Sequence, residues 1–125
     1  MKVEGISWAG VKTDSFESMK RFAEQTLGLS AVHEAPDFAV YRLPNGDKFE
    51  IFGPRSRHPP QQFEKNAVVC GFRVDDIESA REELRSAGVE LLGPVERDSP
   101  SGYAWQHFRT PDGKVFELSY DPTSQ

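Results

Sequence analysis

The pattern of apolar and polar positions changes period in the same order twice along the chain. Residues 5–12 and 67–74 are short, apolar and rich in β-formers, as expected of strands. Beyond the first, Phe16, Met19, Phe22, Ala23 and Leu27 recur at the spacing of one helix face; beyond the second, Ile77, Ala80, Leu84 and Ala87 do the same. Asp14 with Glu17, and Asp75 with Glu78, have the spacing of a capping box with Asp as the cap. Gly28 and Gly88 stand where the helices should end. Period two then returns, in pieces around 30–34, 38–43 and 48–52 and again around 90–96, 103–109 and 114–119. "PNGD" from Pro44 and "PDGK" from Pro111 read as hairpin turns.

The two halves also match residue by residue. "PNGDKFEIFG" lies over "PDGKVFELSY", which sets Glu50 over Glu117 and Tyr41 over Phe108. "WAGVKTDSFES" lies over "VCGFRVDDIES", which sets Gly10 over Gly71 and Asp14 over Asp75. The second copy is longer between its helix and its last strands, where "GPVERDSPSGY" supplies polar, Pro- and Gly-rich residues. A repeat of roughly 60 residues is too long for a solenoid and suits a duplicated supersecondary unit. Each unit reads βαβββ. Residues 1–53 form module one, 54–66 a polar, Pro-rich connector and 67–122 module two, in a single α+β domain spanning 1–125.

Alternation along a strand sends neighbouring side chains to opposite faces. Phe49 with Ile51, and Phe116 with Leu118, should face the helices, as should Ala9, Val11, Cys70, Phe72, Val74 and Phe108. Glu50, Phe52, Glu117 and Ser119 then point the other way. They are joined there by Trp8, Gly10 and Lys12, by Val69, Gly71 and Arg73, and by Tyr103, Trp105 and His107. This second face collects aromatic rings beside a few ionisable groups, which is the make-up of a small-molecule pocket. The alternative for a lone strand glutamate is a solvated sheet face. His107 matches Val40 in the repeat, so its position does not require a polar residue. It reads as a general base or ligand-orienting donor, or as a partner of a glutamate. His33 and His58 read as surface residues.

Composition narrows the partners. The chain has 125 residues, enough to bury a core of its own. A net charge of −5 argues against nucleic acid, which needs a basic face, and against an anionic membrane. No apolar run approaches the roughly 20 residues of a membrane span, and "MKVEGISWAG" lacks the apolar stretch of a secretory signal. The single cysteine, Cys70, excludes an internal disulfide and points to a reducing, cytoplasmic setting. Inside "AVVCGF" it reads as a small core residue.

The segments "FAEQTLGL", "NGDKFEIFG", "FRVDD" with "AGV", and "TPDGKVFEL", in this order and duplicated, resemble the vicinal oxygen chelate superfamily. That group includes glyoxalase I, the bleomycin and fosfomycin resistance proteins and the extradiol dioxygenases. The resemblance implies two tandem βαβββ modules whose curved sheets form a cup, often in a homodimer. It also implies a divalent metal held at four positions, which fall here on Trp8, Glu50, Val69 and Glu117. Indole and isopropyl groups cannot ligate a metal, and the two-His, one-Glu pattern of the dioxygenases fails at the same two residues. A weak site of Glu50, Glu117 and His107 for Mn, Mg, Zn, Ni or Fe is the alternative.

The sequence therefore favours a metal-independent protein that binds an aromatic or flat, partly polar ligand. Trp8, Lys12, Phe52, Val69, Arg73, Tyr103 and Trp105 would line the site, with Glu50, Glu117 and His107 fixing polar groups. The second expectation is an enzyme, either a lyase or isomerase moving protons through Glu and His or a metal enzyme with an altered ligand set. A third is a cup filled by its own side chains.

Overall fold

The computed structural model describes residues 1–57, 63 and 66–123. Module one runs β1 (Gly5–Lys12), α1 (Phe16–Arg21), a single π-type segment (Phe22–Thr26), β2 (Ala31–Ala35), β3 (Phe38–Arg42) and β4 (Lys48–Phe52). Module two runs β5 (Val68–Arg73), α2 (Ile77–Ser86), β6 (Glu90–Arg97), β7 (Ala104–Arg109) and β8 (Val115–Tyr120). The fold is α+β, as expected. All strands join one eight-stranded mixed sheet in the order β2-β3-β4-β1-β5-β8-β7-β6. Each module places its first strand innermost, parallel to its last, and β1 pairs antiparallel with β5 to join the halves. Both halves of the cup thus come from one chain. Among the described residues no helix is long and apolar enough to cross a membrane.

The local signals work where the backbone geometry matches them and fail where it does not. Gly46 and Gly113, in the two hairpin turns, have φ of 92° and 90°, a region closed to most side chains. Gly28 and Gly88 follow the helices, also as expected. The caps differ. Asp76, not Asp75, is the extended residue before α2, and its carboxylate accepts a 3.0 Å hydrogen bond from the Ser79 amide. At α1 the cap position belongs to Ser15, which makes no side-chain cap bond, so Asp14 caps nothing.

The first helical stripe is broken as well. The Leu27 amide bonds to the Phe22 carbonyl at 3.0 Å, a step of five that inserts one extra residue in the turn. That insertion rotates the stripe. Phe16 and Ala23 stay buried and Met19 packs beside them, while Phe22 and Leu27 are exposed.

Three apolar clusters result. Under α1 lie Phe16, Ala23, Ala39, Tyr41 and Ile51, with Phe49 against them. Under α2 lie Val74, Ile77, Ala80, Ala104, Phe108 and Leu118, with Phe72 and Phe116. The helices cover the outer strands of each module rather than the central pair. Ala9, Val11 and Cys70, expected beneath the helices, are therefore only half-buried and belong to neither cluster. The third cluster, Trp8, Phe52 and Val69 with Phe38 and Phe63, lies on the opposite, concave face.

The concavity has a direct measure. Lys48 on β4 sets its ammonium 3.5 Å from the ring centroid of Tyr103, next to β7. Those strands stand four inter-strand spacings apart, roughly 19 Å across a flat sheet. Contact between them requires the sheet to curl around the cup.

Gly10 shows how tightly the floor is packed. A Cβ there would lie 2.3 Å from Trp8 Cη2 and 2.9 Å from Phe52 Cε2, because the indole lies across the strand at this residue. Gly10→Ala is expected to lower unfolding stability by about 1–3 kcal/mol in denaturant titrations, the usual range for overpacking. The cost should shrink in a Trp8→Ala background. Equal costs in both backgrounds would show that the indole is not the obstacle.

Candidate functional site

The strand registers place the concave-face residues as the alternation requires. Gly10 is the partner of Glu50 and Gly71 the partner of Glu117 in the two parallel pairs. In the antiparallel pairs, Val40 lies opposite Glu50 and His107 opposite Glu117. The glutamates hold equivalent places in the repeat, and the histidine is present in one half alone.

In the module-two half, His107 Nε2 lies 3.0 Å from Glu117 Oε2, and each side chain is 4% exposed. The approach is close, yet its angle is not that of a formed hydrogen bond, and the Tyr103 hydroxyl is likewise buried without a partner. Burial pushes the Glu117 carboxyl above its ordinary range, and neighbouring His107 pulls it back. Burial raises the Tyr103 phenol too, helped by the Glu117 charge. Beneath them Ser7 and Ser119 share a 2.7 Å hydroxyl contact. Gly71 makes room for this arrangement: a Cβ there would sit 3.1 Å from Glu117 Oε1 and 3.1 Å from Trp8 Cβ.

The module-one half is aromatic. Trp8, Phe52 and Val69 are buried together. Phe38 stacks on Phe52 at 5.0 Å, and Phe63 of the connector tilts against it at 5.1 Å. Glu50 stands half-buried beside them. Its carboxyl is pushed up to about 7, first by burial and second by the Glu117 charge, against the opposing effects of the Trp8 indole and Lys48.

The structure corrects two of the expected cations. Lys12 is exposed and takes no part in the cluster. Arg73 pairs with Asp47 at 3.6 Å instead of facing the glutamates. Among the described residues the cation that reaches into the cup is Lys48, which is not among the expected site residues. Its signal was present: it precedes Glu50 by two residues in the same strand, so it shares the face. Burial depresses its pKa, with Arg42 adding to the effect. Trp105 is half-buried, its ring 6.0 Å from that of Tyr103. His33 is exposed on β2, edge-on to Phe38. His58 lies outside the described residues.

The four positions that the sequence resemblance assigns to a divalent metal do not supply a ligand set here. An indole N–H only donates and a valine has no donor atom for a metal. Trp8 and Val69 are packed into the apolar cluster, at 4% and 0% exposure. Among the described residues no group of three His, Cys, Asp or Glu side chains gathers closely enough to hold an ion, so Glu50, Glu117 and His107 do not form the alternative site. What the cup offers instead is carboxyls disposed to bind protons, a buried imidazole and phenol, and one ammonium, set in an aromatic surround.

No curated protein matches the chain by sequence. Solved structures match it in fold. A glyoxalase/bleomycin resistance protein/dioxygenase superfamily member from Vibrio splendidus 12B01 is 20% identical, with 90% of this chain and 96% of that one covered and a TM-score of 0.66. Methylmalonyl-CoA epimerase from Streptomyces coelicolor, in complex with 2-nitronate-propionyl-CoA, is 18% identical over 97% of this chain and 99% of its own, with a TM-score of 0.73. The Mn(II)-bound glyoxalase from Novosphingobium aromaticivorans is 20% identical, covers 96% of this chain and 40% of its own, and gives a TM-score of 0.76. At these identities the likeness is one of fold. A family model matches residues 5–118, nearly the whole chain, and by that match the protein belongs to the Glyoxalase/Bleomycin resistance protein/Dioxygenase superfamily.

Proposed function

We propose that the cup binds a small, flat, partly polar molecule, and does so without the divalent metal used by relatives such as the Mn(II)-bound glyoxalase. The observation that carries this reading is the content of the concave face. Glu50, Glu117, His107, Tyr103 and Lys48 converge on a face otherwise built of Trp8, Phe52 and Trp105, and the Tyr103 hydroxyl and His107 Nε2 are buried there without a well-formed hydrogen bond. Buried polar atoms without a well-formed hydrogen bond are rare. A solvated sheet face would not carry them. An aromatic ligand with polar edges would meet Trp105, Lys48 and Glu50, the half-buried members of this face, while Trp8, Phe52, Tyr103, His107 and Glu117 are buried.

A ligand screen read by thermal unfolding tests the proposal. At a hundred times its Kd a ligand should stabilise the protein by about 2.7 kcal/mol, a rise of several degrees. Chelator treatment should leave the effect intact, and Trp105→Ala should abolish most of it. If every hit stabilises Trp105→Ala as well as the wild type, the rings do not form the site. If chelator removes binding and Mn restores it, the metal-independent part is wrong.

A second reading, proton transfer in a lyase or isomerase, is favoured by Glu50. A carboxyl at about 7 divides its time between acid and base at neutral pH, as a proton shuttle requires. The fold of methylmalonyl-CoA epimerase is compatible with that role. The raised value also sets a pH dependence. Below the ordinary 4.5 the group is neutral in both folded and unfolded chains, so nothing is lost. As pH rises toward about 7 the unfolded chain ionises first, and stability falls. The full difference corresponds to about 3 kcal/mol. Glu50→Gln removes this dependence. Its stability relative to wild type should therefore grow by about 2–3 kcal/mol between pH 4.5 and 8 in chemical denaturation. A difference that stays flat across this interval rules out the raised pKa.

A further inference from the structure

Lys48 is the cup residue whose surroundings are least complete. Its ammonium rests on the Tyr103 ring and makes no ion pair with any carboxylate of the described residues. The acids around it are otherwise engaged. Asp47 pairs with Arg73 and accepts from the Asn45 side chain. Asp121 pairs with Arg42 at 3.5 Å and accepts from the Thr123 amide. Asp98 accepts from the Ser101 amide and hydroxyl. Glu50, Asp121 and Asp98 act on Lys48 through their charges, without a direct contact. A half-buried ammonium held on an aromatic face with no carboxylate in direct contact can take a closer anion.

We propose that Lys48, seated on Tyr103 at the rim of the cup, is a carboxylate-binding point, so that the ligand class is a flat or aromatic acid. The inference rests on the cup-binding reading above and adds the charge of the ligand. Three features bear on the choice of anion. Arg42, the nearest other cation, is already held by Asp121, so the point offers one positive charge. Phosphate sites gather several cations or a row of backbone N–H groups, whereas one ammonium suits a planar monoanion. The neighbouring Tyr103–Trp105 pair supplies a platform for the ring that carries the carboxylate. His107 faces Glu117 rather than the rim.

Calorimetric titration with 2-naphthoate, 2-naphthamide and 2-naphthylmethylammonium tests the assignment on the full chain. The acid should bind about tenfold or more tighter than the amide, with the cation weakest. Lys48→Met should remove that preference, bringing acid and amide to the same affinity. Lys48→Arg, which keeps the charge, should retain most of the preference and controls for packing effects of the substitution. Equal binding of acid and amide by the wild type, or an undiminished preference in Lys48→Met, overturns the inference. In either case amide binding that is lost in Trp105→Ala leaves the cup reading standing. Failure of all three probes to bind also overturns the carboxylate assignment, while the wider ligand screen judges the cup reading separately.

Discussion

The antiparallel pairing of β1 with β5 is the constraint on which the rest of the molecule depends. Each module alone is a four-stranded sheet with one helix and one open face. Joined through their innermost strands, the two form a single sheet whose concave side is shared. Ala9 pairs with Cys70 and Gly10 with Val69 at the seam, so the floor of the cup is made from first-strand residues of both modules. Everything that projects into the cup is measured from this seam. Trp8 and Val69 stand on it, Glu50 and Glu117 flank it one strand away, and His107 and Val40 lie one strand further out.

That geometry creates an electrostatic problem with few solutions. Two glutamates are carried into a curled, largely apolar space, where ionised carboxylates are poorly solvated. A dication would settle both charges at once, but Trp8 and Val69, packed in the apolar cluster, bring no ligating atom to one. Protons and hydrogen-bonding neighbours remain. Glu117 keeps His107 at 3.0 Å, while Glu50 has an indole and a more distant ammonium. The result is a pair of carboxyls with different companions, held by the same fold at equivalent positions. Environment, more than residue type, separates their chemistry.

Much of this was legible in the sequence because it follows from period and repetition. Alternation put Glu50 and Glu117 opposite Phe49, Ile51, Phe116 and Leu118, and duplication showed that the choice was made twice. The helix-facing cores under α1 and α2 follow directly. The misses have physical causes of their own. Asp76 rather than Asp75 caps α2 because the cap is set by the last extended residue, which a spacing pattern leaves uncertain by one. Leu27 left the core because a π-turn changed the phase of the stripe beyond Phe22, and Phe22 itself stands off the line of Phe16, Met19 and Ala23. Lys12 and Lys48 could be separated only by curvature. Both alternate onto the concave face, but β4 curls toward β7 at the Lys48 end, and no local pattern encodes a contact between strands so far apart in the sheet.

The repeat also shows where the two halves have parted. In module one the concave side is aromatic, with Phe38 stacked on Phe52 and Trp8 laid across Gly10. In module two the corresponding side is polar, with His107 against Glu117 and Tyr103 near the Ser7–Ser119 contact. A backbone duplicated to be symmetric thus carries unlike side chains on its two halves, with Glu50 and Lys48 beside the rings of the first and Tyr103 and Trp105 beside the polar groups of the second. Symmetric metal coordination has no use for such a difference, since it asks for donors from both halves. A flat molecule with one polar edge does use it, because rings reward contact area and buried polar groups reward direction. The divergence of the halves is therefore the feature of the fold that argues most directly for recognition of an unsymmetrical small molecule.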